Sequence, residues 1–199
     1  MAGAARRTVQ RQQRGQTRAR IVAAAEEELR SRPLRDVSVE EVMERAGLTR
    51  TLFYRHFDDL YDLVVSVARP AFDELFAIDE AILAGDPADP QRIERALAPA
   101  VALFAQHGPL IRAVAEASVF DLAVEQIYRG ALDRFSALTE RFLEQVGAPV
   151  ADRAQAARAL TLMNVGYLLD GFGAEPRVTP AQATATLVGL WRAVALPDR

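Results

Sequence analysis

The chain of 199 residues is half apolar and 7% aromatic, with a formal net charge of −3. Such a length admits one domain, or a small and a medium one, and the apolar share is enough for a sizeable core. The absence of cysteine excludes disulfides, thiolate metal sites and cysteine nucleophiles.

Abundant Ala and Leu with few aromatics favour helix over strand. Residues 1–57 hold 12 arginines against 7 acids, and residues 58–199 hold 12 against 20. A basic end on an acidic body is the pattern of a nucleic-acid-binding module joined to a second function, although a basic tail has the same signature. All 24 cations are arginine; GC-rich coding explains that bias, and the planar guanidinium still suits phosphates and guanine edges. No apolar run approaches the roughly 18 residues of a membrane span. The basic stretch Arg6 to Arg20 lacks the apolar segment of a secretory signal, so a soluble cytoplasmic protein without a membrane partner is expected. His56 and His107 lie far apart, and no glycine-rich phosphate loop or nucleophile–base set can be placed. No metal, no cofactor and no enzymatic activity are therefore expected. The grouped acids Asp58, Asp59 and Asp62 fit the favourable end of a helix dipole.

In chain order, residues 1–16 have almost no apolar content, which predicts a disordered basic arm, either adding phosphate contacts or inert. A helix starts at Thr17, with Ile21, Val22, Ala25 and Leu29 on one face, and stops before Pro33. Ser38-Val39-Glu40-Glu41 is a capping box that opens a second helix, with Val39, Val42, Met43 and Ala46 buried and Gly47 at its exit. Thr49 caps a third, which turns Leu48, Leu52, Phe53 and Phe57 inward and leaves Arg50, Thr51, Tyr54 and Arg55 outside. A long fourth helix covers about Leu60 to Ala84, and Gly85-Asp86-Pro87-Ala88-Asp89-Pro90 is a loop. Further helices are expected over about Gln91–Gln106, briefly after Gly108-Pro109, over Phe120–Val146, over Val150–Leu169 up to Gly171, and from Thr179-Pro180 to about Leu196. The result is an all-α fold of about nine helices, divided into the arm (1–16), a helix-turn-helix DNA-binding domain (17–63) and a helical ligand-binding and dimerisation domain (64–199).

Two short helices joined by Ala46-Gly47-Leu48 fit a helix-turn-helix, whose second helix enters the major groove; an ordinary helical hairpin with a charged face is the alternative. Arg50 and Arg55 suit phosphates or guanine acceptors. Thr49, Thr51 and Tyr54 suit phosphate oxygens. The run Gly47-Leu48-Thr49-Arg50-Thr51-Leu52-Phe53-Tyr54-Arg55-His56-Phe57 resembles the signature of the tetracycline-repressor family, and Val37-Ser38-Val39 with Val42 resembles that family's second helix. Ser38 joins the DNA-binding candidates on this likeness. His56 either covers the core at the helix end or, as the likeness implies, meets phosphate. Leu52 and Leu60 stand where the family usually carries threonine and lysine, which shifts the load to Tyr54, His56 and the arginines.

The second half is most similar to the branch of that family containing the ethionamide-resistance repressor, on Asp86-Pro87-Ala88-Asp89, Leu160-Thr161-Leu162-Met163-Asn164 and Gly189-Leu190-Trp191. The likeness implies a largely apolar pocket, with Phe104, Tyr128, Phe135, Thr161, Asn164 and Trp191 as candidate ligand-binding residues. Thr161 and Val165 stand where the branch carries an asparagine and an acid, so this pocket is expected to be less polar. Leu160, Met163, Asn164, Tyr167 and Leu168 share one helical face, and the lone amide among them needs either a ligand carbonyl or an internal partner. Taken alone, Trp191 reads as core. The likeness further implies a homodimer formed by the last two helices, a palindromic double-stranded DNA operator, and release by a hydrophobic small-molecule effector. A regulator without such an effector, or an activator, is the alternative.

Overall fold

A computed structural model describes residues 2–83, 86, 89 and 91–196, with side chains omitted for 2–7 and 79–82. The described residues form eight α-helices and no strand: α1 (Ala2–Ser31), α2 (Val39–Arg45), α3 (Arg50–Phe53), α4 (Leu60–Leu83), α5 (Arg92–Ala117), α6 (Leu122–Gln145), α7 (Arg153–Phe172) and α8 (Pro180–Ala195). A 3-10 turn, Leu34–Asp36, joins α1 to α2. The loop expected over Gly85 to Pro90 lies outside the described residues apart from Asp86 and Asp89.

Three departures from the sequence expectations have physical causes. The arm expected to be disordered is helical, because α1 begins at Ala2. Its Ala, Arg and Gln residues are good helix formers, and a helix nucleated on the core at Ile21 extends through them cheaply. The separate helices expected on either side of Gly108-Pro109 are one helix, α5, with Pro99 and Pro109 inside it. Packing on both flanks outweighs the hydrogen bond that proline removes. α7 is displaced three residues along the chain from its expected span, because the Asp152 side chain caps it by accepting from Gln155 N, and it runs through Gly171 to Phe172.

Short-range chemistry shapes the N-terminal helices. The Ser38 hydroxyl accepts from Glu41 N, and Glu41 accepts from Ser38 N, closing the capping box. α2 ends at Gly47, whose φ of +63° favours glycine. There Gly47 N–H bonds Glu44 O and Leu48 N–H bonds Met43 O, each at 2.9 Å, the paired bonds of a Schellman cap. Asp59 caps α4 by accepting from Asp62 N at 2.9 Å, a structural task for that acidic group.

The buried side chains form two clusters. The first joins Ile21, Leu29, Val42, Met43, Phe53 and Phe57 to Leu63, Val64 and Val67 of α4, and also to Leu110, Ala113, Val114 and Ala117 of α5. The second joins Leu75 of α4 and Ile93, Leu97, Val101 and Phe104 of α5 to Phe142, Leu160, Leu187 and Trp191. Thus α4 and α5 each belong to both clusters. α5 packs against α1, α4, α6, α7 and α8. At its centre a Cβ on Gly108 would lie 2.3 Å from the Phe172 carbonyl oxygen, so only glycine lets the end of α7 approach there.

A carboxylate braces α1 against α2. Glu28 is 4% exposed and accepts from Arg45 Nε at 2.5 Å and from Arg32 Nε at 2.7 Å. Burial pushes its pKa up, but the hydrogen bonds and charges of Arg45 and Arg32 outweigh that and hold it below the ordinary carboxylate value. Arg32 also reaches Glu41 at 2.8 Å. The Arg32 bond first, then the Ser38 hydroxyl, lower the Glu41 pKa from 4.5 to about 2.

Two outcomes follow. A folded-state pKa below the unfolded one stabilises above the unfolded value and is lost as pH falls through the folded one. Acid titration of wild-type protein from pH 4.5 to 2 should therefore lose more stability than the same titration of Glu41→Gln, which keeps the capping box but not the charge; parallel curves would exclude this ion pair as a contributor. Gly108→Ala should cost about 1–3 kcal/mol through overpacking, read from denaturant melts, and an unchanged midpoint would mean that α5 and α7 separate freely.

Candidate nucleic-acid interface and apolar cavity

The turn at Gly47 sets α3 across α2, and the residues after it alternate sharply in exposure. Phe53 and Phe57 are buried, Leu48 and Leu52 are half-buried, and Thr49, Arg50, Thr51, Tyr54 and Arg55 are exposed. Phe53 anchors this segment, its ring 5.5 Å from that of Phe57 and edge-on to Tyr54 at 5.3 Å. α3 itself is a single turn, Arg50–Phe53, and Tyr54 to His56 continue as turns. Thr49 stands at the N-cap without a side-chain cap bond, which leaves its hydroxyl free of that task. Ser38 is half-buried, and its hydroxyl also donates to Glu41 at 2.7 Å, so capping already occupies it.

Arg50 pairs with Glu40 at 2.5 Å and donates to Tyr54 Oη at 3.3 Å. The Tyr54 hydrogen bond first, then the Glu40 charge, raise its pKa further. The two side chains thus lie together on one solvent-facing surface. A basic edge of α1 continues this surface: Arg14 donates to the Arg55 carbonyl at 3.3 Å, and Arg18 lies 4.9 Å from the Phe57 ring centre. His56 is half-buried. Burial, then the charges of Arg14, Arg18 and Arg55, lower its pKa, so at neutral pH it meets the surface as an uncharged imidazole that can still donate one hydrogen bond.

A cavity of about 100 Å³ opens between α4, α5, α6, α7 and α8. Phe104, Phe135, Thr161, Asn164 and Trp191 all line it, which brings together five of the six residues expected to bind a ligand. Tyr128 does not join them. It packs against the first cluster and beside a shallow surface depression with Ser118 and Arg158, where burial raises its pKa. Tyr128 and Phe135 share a face of α6, but seven residues carry the helix about 10 Å, out of one cluster and into the other.

The remaining wall includes Leu75, Ile78, Ala96, Leu97, Ala100, Leu138, Thr139, Phe142, Val165, Leu168 and Leu187. Apart from Val165, placed in the pocket by the likeness, sequence reading missed these because an apolar residue lining a cavity has the same periodicity as one filling a core; the row Ala96, Ala100, Phe104, spaced by four, was the available signal. Polar atoms are few. The Thr139 and Thr161 hydroxyls lie 3.4 Å apart. Asn164 Oδ1 accepts from Trp191 Nε1 at 3.1 Å, so the amide has an internal partner on its oxygen, while its nitrogen makes no hydrogen bond among the described residues. An apolar cavity with a few placed polar groups suits a small molecule. Among the described residues no group of acids and histidines could hold a metal, and no helix is long and apolar enough to cross a membrane.

Comparison with known proteins gives a consistent result. Residues 21–67 match the model for "Bacterial regulatory proteins, tetR family". The HTH-type transcriptional regulator EthR of Mycobacterium tuberculosis is 30% identical over 188 residues, covering 86% of this chain and 83% of that protein. EthR of Mycolicibacterium smegmatis is 27% identical over 180 residues, covering 87% and 83%. Among solved structures, a transcriptional regulator from Rhodococcus sp. Rha1 superposes with a TM-score of 0.68 at 21% identity, covering 90% of this chain and 98% of that one. AibR, solved in complex with isovaleryl coenzyme A and operator DNA, superposes with a TM-score of 0.69 at 16% identity, covering 92% and 100%.

Proposed function

The chain belongs to the tetR family of bacterial regulatory proteins and is a DNA-binding transcriptional regulator rather than an enzyme, and from that premise we propose that it is a homodimeric repressor released from a palindromic operator by an apolar small molecule. The observation that carries this reading is the course of α5. Its Ala96, Leu97, Ala100 and Phe104 line the cavity, while its Leu110, Ala113, Val114 and Ala117 share one core with Phe53 of α3, on the end of α5 that packs against α1 and the 3-10 turn. A molecule that reshapes the cavity wall displaces the same rigid rod that braces α1 and the 3-10 turn of the DNA-facing head, and α4 accompanies it through Leu75 and Val67.

In this reading Arg50 and Arg55 address base edges and phosphates, and Thr49, Thr51, Tyr54 and His56 address phosphates. Ser38 contributes mainly by holding α2. Asn164 offers its free amide N–H to an acceptor on the effector, beside the Thr139 and Thr161 hydroxyls. The dimer forms through α7 and α8, where Leu162 and Leu190 are each 46% exposed amid small exposed residues such as Ala159, Gly166, Ala185 and Gly189. Two copies related by a two-fold axis present α3 twice, matching half-sites one helical turn or a multiple apart. Effector and operator then compete through the separation of the two heads, with a coupling of about 1–3 kcal/mol. AibR, of the same fold, was solved in complex with isovaleryl coenzyme A and operator DNA, which supports a division of labour between cavity and head.

Gel shifts on the promoter region of its own gene test the head. Arg50→Ala should weaken the specific site by about 1–3 kcal/mol, whereas Tyr54→Phe should weaken specific and unrelated DNA alike; no loss for either would remove α3 as the reader. Ala100→Phe, which fills the cavity as an effector would, should keep the dimer seen by native mass spectrometry and lower operator affinity about 5–150-fold. A monomeric wild type, or full operator affinity in the filled variant, would overturn the coupling.

A further inference from the structure

Among the described residues, one buried arginine lacks a counter-charge. Arg92, the first residue of α5, is 4% exposed, and arginine does not give up its proton in a protein. Its Nη2 donates to Gln145 Oε1. Its Nε and Nη1 are buried without a hydrogen-bond partner. No acid pairs with it among the described residues, and the nearby Asp89 is paired with Arg95 instead. A neutral amide and the face of one aromatic ring compensate a full buried charge only in part.

Its position links this charge to the cavity. The guanidinium carbon lies 4.9 Å from the centre of the Phe142 ring, and Phe142 is a cavity wall. Arg92 also heads the row Arg92, Ala96, Ala100, Phe104, one helical turn per step, and the last three members line the cavity. The charge therefore stands one helical turn before Ala96, the first α5 residue of the cavity wall, and against the ring of Phe142. Among the described residues the cavity walls hold no charged residue; their polar groups are those of Thr139, Thr161, Asn164 and Trp191. The positive end of the α5 dipole adds to the attraction for an anion at that end.

We propose that the effector is an apolar monocarboxylate: its hydrocarbon body fills the cavity, and its carboxylate accepts hydrogen bonds from Arg92 at the N-terminal end of α5. A singly charged head matches the one buried cation, whereas a dianionic phosphate would leave a negative charge uncompensated beside Phe142. The inference rests on the reading of the cavity as the effector site and assigns that site a ligand class.

Octanoate, 1-octanol and octyl phosphate, compared by calorimetric titration into the full-length protein at neutral pH, test it. Octanoate is expected to bind wild type at least tenfold tighter than either of the others, and Arg92→Met is expected to remove that preference while leaving 1-octanol binding unchanged. Because the substitution removes an incompletely paired buried cation, ligand-free Arg92→Met should melt no lower than wild type, and a large fall would make Arg92 a structural residue and overturn the proposal. Equal binding of octanoate and 1-octanol by wild type would overturn the carboxylate while leaving the cavity as an effector site; tighter binding of octyl phosphate would overturn the single charge. Binding of none of the three would overturn both readings. The wild-type comparison needs no variant to fold.

Discussion

The carbonyl of Phe172 rests where the side chain of residue 108 would begin, and that close approach lets one unbroken helix serve two cores. Gly108 and Pro109 would interrupt an isolated helix, since one is flexible and the other lacks an amide hydrogen. Here α7 and α8 pack on one end of α5, and α1 and the 3-10 turn on the other. Burial on both sides outweighs the local cost, and Leu34 N–H adds a bond to Glu116 near the end of α5 at 2.9 Å. Without this continuity α4 and α6 would be the long helices shared by the two clusters among the described residues.

The two halves use polar groups differently. Around the head, charge is abundant and paired, as in the chain of Glu28, Arg32, Glu41 and Arg45, whose guanidiniums reach water while Glu28 does not. Such a network fixes the angle between α1 and α2 more than it adds stability, because partly exposed pairs are weak. Around the cavity polar atoms are sparse. Asn164 is oriented by Trp191, and Arg92 is held by Gln145 and Phe142. An oriented amide and a buried cation in an apolar surround lose little by reorganisation when a ligand arrives, which is the condition for selective binding.

Arg50 is also restrained before DNA arrives. Its ion pair with Glu40 and its hydrogen bond to Tyr54 hold a long side chain near one geometry on an exposed surface. In the regulator proposed here, base contact requires Arg50 to exchange Glu40 for a groove acceptor, and an acid so close to the interface disfavours DNA that cannot supply one.

The head was largely legible in the sequence because its signals are local. A capping box, a glycine at a helix exit and inward-facing Phe53 and Phe57 depend on neighbours a few residues away, and the expected outward set Arg50, Thr51, Tyr54 and Arg55 is the exposed one. The cavity was legible in part: a likeness to known pocket residues located Phe104, Phe135, Thr161, Asn164 and Trp191 but misplaced Tyr128. What tertiary structure alone decided was the continuity of α5, the helical course of the basic segment before Thr17, and the setting of Arg92 against Phe142. The first and last are settled by contacts between residues distant in the chain, where packing energy exceeds the preferences of glycine, proline or an isolated charge, and the basic segment becomes helical by extension from the part of α1 that packs at Ile21.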